Sequence, residues 1–173
     1  MSPIDSIDTP QGQIISLFPS GTSLSQSNEL LIGGCLASEL VSNFGTPALI
    51  IDEAALRDRA RRYQDGLRSR WPNSEVIWAS KSLPLTSVFR LLGEEGLGID
   101  VAGGGELVMA LAAGINPAKI VVHGNAKTDD ELEMAVKAGV GTIVIDNFDD
   151  IDRLERIVKG EQAVLVRIIP GVL

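Results

Sequence analysis

From residue 53 onward, short apolar runs alternate with longer segments in which hydrophobic residues recur at helical spacing. The first of these segments, Glu53–Arg70, carries arginines on one face and four hydrophobic side chains on the other: Leu56, Ala60, Tyr63 and Leu67. Apolar residues at this 3.6-residue period predict an amphipathic helix. Four more helices are predicted downstream, at about Leu85–Glu95, Glu106–Ala113, Asp130–Ala138 and Phe148–Val158.

The apolar runs between these segments predict five strands: Val76–Ala79, Gly96–Val101, Ile120–His123, Thr142–Ile145 and Ala163–Ile169. The runs lack alternating polar residues, which predicts strands that are buried on both faces. Four strand–helix units followed by a fifth strand indicate an α/β protein whose parallel sheet is joined by right-handed crossovers. A doubly wound sheet and a (β/α) barrel share this pattern, and the periodicity does not separate them.

Residues 1–28 show no sustained period. A composition rich in Ser, Pro, Gly and Thr predicts a loose leader over residues 1–28, with a short strand around Gln13–Phe18 as its one candidate element. After it we predict a short helix over Cys35–Ser42 and a short buried strand over Ala48–Ile51. The chain is thus expected to divide into an N-terminal segment, 1–52, and an α/β segment, 53–173.

The charge balance narrows the classes of partner. Among 173 residues, Lys and Arg number 15 and Asp and Glu number 23, which gives a formal net charge of −8. This acidic balance argues against a protein that binds nucleic acid or an anionic membrane. Cys35 is the single cysteine, which excludes an internal disulfide and a zinc-type cysteine cluster. No signal peptide is recognisable, and the longest apolar runs fall short of the roughly 20 residues that span a membrane, so we expect a cytoplasmic protein.

Four of the five predicted strands carry a polar or ionisable residue at or near the carboxyl end: Lys81, Asp100, His123 and Arg167. The carboxyl ends of parallel strands share one edge, where barrel enzymes place their chemistry. A partly desolvated lysine at that edge can act as an amine nucleophile toward a carbonyl. Each residue also has a structural interpretation, as a lysine reaching water, a hydrogen-bonded aspartate or histidine, or an arginine in an ion pair. Their convergence favours a ligand site that contains an amine, an acid and a guanidinium.

A glycine-rich turn, Gly103-Gly104-Gly105, joins a predicted strand to a predicted helix. Backbone N–H groups of such a turn can bind an anion at the helix N-terminus. We favour the alternative, a tight turn that lets the helix pack on the sheet. The glycine spacings that mark dinucleotide sites and P-loops are absent from the sequence, which disfavours a Rossmann dehydrogenase.

Five segments resemble, in order, the motifs of the diaminopimelate decarboxylase family: Trp78-Ala-Ser-Lys81, Gly96-Leu-Gly-Ile-Asp-Val-Ala-Gly-Gly-Gly-Glu-Leu107, Val122-His-Gly-Asn-Ala-Lys127, Ile145-Asp-Asn-Phe-Asp149 and Val166-Arg-Ile-Ile-Pro-Gly171. Five ordered motifs together are far more specific than any single one. The resemblance covers the chain from Phe44 to its last residue. Ser82 stands where many relatives have alanine, a mild departure that leaves Lys81 in place.

This resemblance implies an enzyme of the alanine-racemase-like barrel group that uses pyridoxal 5'-phosphate and no metal ion. By position, Lys81 would bind the cofactor aldehyde covalently, and Arg167 would hydrogen-bond the phenolic oxygen of the cofactor. Asp100 would lie close to the lysine and the ring. His123 and Asn125 would line the mouth of the site.

The reaction that the resemblance implies is decarboxylation of meso-2,6-diaminopimelate to L-lysine, within lysine biosynthesis, by a protein that is a homodimer in its full-length form. The family's barrel has eight strands, so five strands imply an incomplete parallel (β/α) barrel, and we expect an N-terminal portion that is inactive by itself. Residues 1–52 would belong in part to a β-rich second domain, without partner strands in this chain. The alternatives are a decarboxylase of the same group acting on ornithine, arginine or carboxynorspermidine, and a non-enzymatic pyridoxal-phosphate-binding protein.

Overall fold

The computed structural model describes residues 15–171, which fall into two units that divide between Arg62 and Tyr63. The first unit contains an antiparallel sheet and a helix: β1 (Thr22–Leu24), β2 (Leu30–Ile32), β3 (Cys35–Leu36) and α1 (Ala37–Phe44). Its three strands pair with one another, so the expectation that this segment lacks partner strands is wrong. Helix α2, Glu53–Arg68, runs across the division, and the predicted boundary after residue 52 stays a prediction.

The β2–β3 hairpin explains why the first predicted helix starts too early. Gly33 and Gly34 have φ values of +57° and +81° and form the two-residue connection that pairs Ile32 with Cys35. Two consecutive residues with positive φ make the tight turn that suits a hairpin, and Gly-Gly satisfies it without steric cost. Cys35 therefore belongs to a strand, and the helix begins at Ala37.

Two other expectations for this segment are wrong. Residues 15–18 are not extended, because the N–H of Phe18 donates to the carbonyl of Ile15 at 3.0 Å. Residues 13 and 14 of that predicted strand lie outside the described residues. The predicted buried strand over residues 48–51 does not form, and Leu49 is 78% exposed. An apolar run becomes a strand only where a neighbour takes up its backbone hydrogen bonds, and no described strand pairs with this one.

The second unit is built on a five-stranded parallel sheet: β4 (Ile77–Ala79), β5 (Gly98–Val101), β6 (Ile120–Val122), β7 (Thr142–Ile145) and β8 (Val164–Val166). The helices between the strands are α3 (Thr86–Glu94), α4 (Gly104–Ala112), α5 (Asp129–Ala138) and α6 (Phe148–Ile157). Short 3₁₀ turns, Ser80–Ser82 and Pro117–Lys119, follow β4 and precede β6. The predicted α/β order is confirmed, with ends that differ by a few residues.

The strand order along this sheet is the order along the chain. A doubly wound sheet reverses its order at a switch point, whereas a barrel keeps neighbouring strands in sequence. The order therefore decides the alternative that periodicity left open, and the sheet is wound as in a barrel.

The core of this unit lies between the central strands and the helices. Ile99, Ile120 and Ile143, one on each central strand, are fully buried, as is Phe89 of α3. The edge strands differ from the prediction of burial on both faces, since Ile77 of β4 is 42% exposed and all of β8 is exposed. Each edge strand is bonded to a neighbour on one side only, so a uniformly apolar run does not by itself guarantee burial.

Candidate active site

The strand register brings the predicted site residues to one edge of the sheet. Lys81 lies in the 3₁₀ turn directly after β4, and Asp100 pairs with Ala79, the last residue of β4. His123 follows β6 and Arg167 follows β8. All four residues are therefore at or just past the carboxyl ends of parallel strands.

These four side chains line one open pocket of about 390 Å³, together with Ala102, Gly124 and Asn125. The pocket contains an amine, a carboxylate, an imidazole and a guanidinium. The convergence expected from the strand ends is thus present in the structure, while the role assigned to each residue stays a prediction.

Asp100 has an oxygen without a hydrogen-bond partner. Its Oδ1 is buried and accepts no hydrogen bond from the described residues. His123 Nδ1 lies 3.5 Å away, close enough for an ion pair when the imidazole is protonated but not in hydrogen-bond geometry. A buried acceptor left unpaired costs about 1–3 kcal/mol. This pattern suits an acceptor that is used when a group binds in the pocket.

Arg167 is held in place by a carboxylate. Its Nη1 donates to Asp146 Oδ1 at 2.8 Å, and its side chain remains 45% exposed. A guanidinium has five N–H donors, so this one contact leaves donors for an anionic group. The ion-pair interpretation and the binding-site interpretation of Arg167 are therefore compatible.

Glu106 fixes the backbone next to Lys81. Ser80, which is fully buried, donates from Oγ to Glu106 Oε2 at 2.6 Å, and the N–H of Ala102 donates to the same oxygen at 2.7 Å. One carboxylate thereby ties the end of β4 to the end of β5, next to the pocket-lining residues Lys81 and Ala102.

The glycine-rich turn is occupied by a carboxylate of the protein itself. Gly104 N–H donates to Glu131 Oε1 at 2.7 Å, while Glu131 Oε2 accepts from the N–H of Thr128 at 2.8 Å. The N–H groups of Thr128 and Gly104 hold the pKa of Glu131 below its usual range, against the opposing effect of burial. This geometry agrees with the tight-turn interpretation, because the donor at the start of α4 already has its partner.

A buried ion pair near the pocket was not anticipated from the sequence. Lys127 Nζ lies 2.8 Å from Asp150 Oδ2, and the two side chains are 2% and 1% exposed. Burial raises the pKa of the Asp150 carboxyl, but the hydrogen bond from Lys127 and that from the N–H of Asp146 outweigh it and leave the pKa below its usual range. Arg153 Nη2 adds a third contact to Asp150, at 2.8 Å.

Glu106, Glu131 and Asp150 share a signal that the sequence analysis did not use. Each is the third residue of the helix that follows a strand. Thr128 and Glu131 form a capping box, which the Thr128-Asp-Asp-Glu131 spacing is typical of, but the bond from Gly104 N–H to Glu131 joins residues 27 positions apart and is not a local feature. An acid at this position marks a candidate link between neighbouring loops.

Within residues 15–171, no group of three or more His, Cys, Asp or Glu side chains is placed to hold a metal ion. No helix in that part of the chain is both long enough and apolar enough to cross a membrane.

Comparison with known proteins gives one consistent family. Residues 53–173 match the family model described as pyridoxal-dependent decarboxylase, pyridoxal binding domain. The diaminopimelate decarboxylase of Actinosynnema pretiosum subsp. auranticum is 44% identical over 156 residues, which are 90% of this chain and 35% of that protein.

Two solved structures agree with this match. Diaminopimelate decarboxylase from M. jannaschi has a TM-score of 0.82 at 29% identity, covering 90% of this chain and 37% of that one. Its co-complex with L-lysine has a TM-score of 0.76 at 26% identity, covering 86% and 36%. The chain therefore spans about a third of the length of the relatives that it matches.

Proposed function

This chain belongs to the pyridoxal-dependent decarboxylase family through its pyridoxal-binding domain, and we propose that it supplies the cofactor-binding lysine for decarboxylation of meso-2,6-diaminopimelate to L-lysine. The observation that carries the proposal is the convergence of Lys81, Asp100, His123 and Arg167 on one pocket. The substrate is that of the relatives, which are diaminopimelate decarboxylases, one of them solved with L-lysine.

The residues of the pocket fit pyridoxal 5'-phosphate, the cofactor of the family. Lys81 supplies a primary amine for an aldehyde, and Arg167 retains donors for an anionic oxygen. Asp100 offers a buried Oδ1 that has no hydrogen-bond partner among the described residues. The donor set therefore matches a ligand that carries an aldehyde, an anionic ring oxygen and proton-bearing groups.

Each side chain then has one task. Lys81 would hold the cofactor at its aldehyde through the primary amine that it brings to the pocket. Arg167, oriented by Asp146, would donate to the phenolic oxygen. Asp100 would offer its buried Oδ1, which has no hydrogen-bond partner among the described residues, to a proton-bearing group of the bound ligand. When bound, the cofactor supplies an electron-withdrawing ring that takes up the electron pair left when the carboxylate departs as carbon dioxide.

Covalent capture of the cofactor tests the first part of the proposal. The chain is mixed with pyridoxal phosphate, the bound cofactor is followed by absorbance and fixed with borohydride, and the labelled peptide is mapped. We expect the label on Lys81 and its loss in Lys81→Ala. Lys119→Ala is the matched control, because Lys119 precedes β6 at the opposite edge of the sheet. An undiminished label in Lys81→Ala would refute the assignment.

Competition among amino acids tests the substrate. meso-Diaminopimelate, ornithine or arginine is added to the cofactor-loaded full-length protein, and displacement of the cofactor from Lys81 is followed by absorbance. We expect displacement by meso-diaminopimelate at the lowest concentration. The reverse order would favour an ornithine or arginine decarboxylase, and no displacement by any amino acid would favour a non-enzymatic pyridoxal-phosphate-binding protein.

The proposal includes a homodimer of the full-length protein and a cytoplasmic location. Sedimentation of the full-length protein and fractionation of the cells that produce it test these two statements. A monomer at micromolar concentration, or recovery outside the cytoplasmic fraction, would contradict them.

A further inference from the structure

The loop after β6, which contributes to the pocket, is joined to the first turn of α6 by the buried pair Lys127 and Asp150, although neither of these two residues lines the pocket. Lys127 ends the loop that starts at His123 after β6, and Asp150 lies in the first turn of α6, after β7. The pair therefore acts on the site through other residues or not at all.

Contacts at both ends of the pair lead to the pocket. Lys127 Nζ also donates to the carbonyl of Gly124 at 2.6 Å, and Gly124 lines the pocket next to His123. Asp150 Oδ2 accepts from the N–H of Asp146 at 3.0 Å, and Asp146 Oδ1 binds Arg167 at 2.8 Å.

These contacts form one connection that runs from the His123 loop after β6 to Arg167 after β8. The two strands are not neighbours, because β7 lies between them in the sheet. The connection between His123 and Arg167 therefore passes through the loop after β7, the strand that lies between β6 and β8.

Stability alone is a weak reason for such a pair. Desolvation of two charges offsets much of their attraction, and apolar residues of similar volume are often as stabilising. An ion pair differs from an apolar contact in its directional hydrogen bonds, and Asp150 receives them at both oxygens, from Lys127 and Asp146 at Oδ2 and from Arg153 at Oδ1. The ion pair therefore fixes the relative positions of the groups it bonds to, which an apolar contact would not do.

Acidic residues at the third position of two other helices make similar contacts at the carboxyl ends of the strands. Glu106 and Glu131, each the third residue of its helix, each bond both to the loop before their own helix and to the loop of the preceding unit. Links between neighbouring loops are thus a repeated feature of the edge that carries the pocket.

We propose that Lys127 and Asp150 are positioning residues that hold His123 and Arg167 in one fixed arrangement for cofactor binding. The inference rests on the proposed function. It assigns the pair a role in the geometry of the site that is separate from its contribution to folding.

A double substitution separates the two roles. Lys127→Met combined with Asp150→Leu replaces the ion pair by apolar side chains, so the melting temperature should fall less than in Asp150→Asn, which leaves the buried charge of Lys127 without its partner charge. The directional bonds to Gly124 and Asp146 are lost. The pyridoxal phosphate concentration that half-saturates borohydride-fixed label on Lys81 should then rise about tenfold, the effect of losing one hydrogen bond to a charged group.

Hydrogen exchange gives a readout that needs no cofactor. The N–H groups of His123 and Arg167 donate to the carbonyls of Val101 at 2.7 Å and Ile145 at 2.9 Å, and neither contacts the substituted side chains. Both amides should exchange faster in the double variant. Asp150→Asn, measured below its own melting temperature, gives the same comparison if the double variant does not fold.

Lys119→Met is the matched control. Lys119 Nζ donates to the carbonyl of Gly96 at 2.9 Å and lies 3.5 Å from Glu75 Oε1, so it links loops at the amino edge of the same sheet. This variant should keep the wild-type cofactor affinity and the wild-type exchange of His123 and Arg167.

The outcomes distinguish the inference from the proposed function. Wild-type cofactor affinity in the Lys127 and Asp150 variants would overturn the inference and leave the proposed function intact. Absence of label on Lys81 in the wild type would refute the proposed function. Hydrogen exchange of the His123 and Arg167 amides would then be the one test of the positioning role. Unchanged exchange of His123 and Arg167 in these variants would overturn the inference.

Discussion

Replacing Glu131 by glutamine should lower the free energy of unfolding by more than the loss of one surface charge would. Both carboxylate oxygens are in use, since Oε1 accepts from the N–H of Gly104 at 2.7 Å and Oε2 accepts from the N–H of Thr128 at 2.8 Å and from its Oγ1 at 3.1 Å. A glutamine amide has one oxygen and one NH₂ group. One backbone N–H must therefore face another donor in Glu131→Gln.

The magnitude follows from the contact that is lost. A hydrogen bond to a charged group contributes about 1.5–3 kcal/mol. Glu131 is half-buried, so water compensates in part and the lower end, about 2 kcal/mol, applies. With a slope of about 2 kcal/mol per molar in urea, the unfolding midpoint should fall by about 1 M.

Urea unfolding at neutral pH, compared with Asp130→Asn, checks this prediction. Asp130 lies in the same first turn and makes no side-chain hydrogen bond among the described residues, so its loss removes only a charge at the helix N-terminus. That charge is worth about 0.3–1 kcal/mol. If Glu131→Gln is no more destabilising than Asp130→Asn, the geometric reasoning is wrong.

The dependence on pH gives a second check. The folded protein holds the pKa of Glu131 below its usual range, so the ionised carboxylate contributes stability above that range, and this is lost as the pH falls through the folded-state pKa. The difference in stability between the wild type and Glu131→Gln should therefore shrink below about pH 4. A difference that stays constant into the acid range would contradict the assignment.

Four further substitutions test other parts of the structure. Asp150→Asn should lower the free energy of unfolding at pH 7. The difference from the wild type should shrink below about pH 4, because the pKa of Asp150 is lowered in the folded protein and the stability from its charged form is lost in acid. Parallel curves of stability against pH for the two proteins would contradict this. Phe89→Ala should cost about 3–5 kcal/mol in urea unfolding, since Phe89 is fully buried and packs edge-on against Trp78 with ring centroids 5.6 Å apart; a loss of about 1 kcal/mol would show that the cavity collapses. Gly139→Ala should destabilise the protein by about 1 kcal/mol, because Gly139 ends α5 at φ +71°. Gly105→Ala should instead stabilise it by about 0.5–1 kcal/mol, because Gly105 lies inside α4 with open space around it. Equal melting temperatures of the two variants would contradict both expectations.

The family model and the solved relatives confirm the predicted fold, family and cofactor, whereas the roles of the four site residues remain to be tested. Position at a strand end selected Lys81, Asp100, His123 and Arg167 because parallel strands present their carboxyl ends together whatever the details of packing. The Gly33-Gly34 hairpin was also open to prediction from turn chemistry, and it was missed because the apolar residues after it suggested a helix.

What the sequence determined by itself is the part of the structure that depends on short-range interactions. Hydrophobic period, the Thr128 cap and the glycine after α5 set the elements in the second unit, because each acts within a few residues of its own position. The tertiary structure alone decided which strands are edges, why residues 48–51 are not a strand, and that Lys127 meets Asp150. Those features require segments that are distant along the chain to lie side by side. Local sequence preferences do not determine them, because the hydrogen-bond partners come together only when the sheet forms.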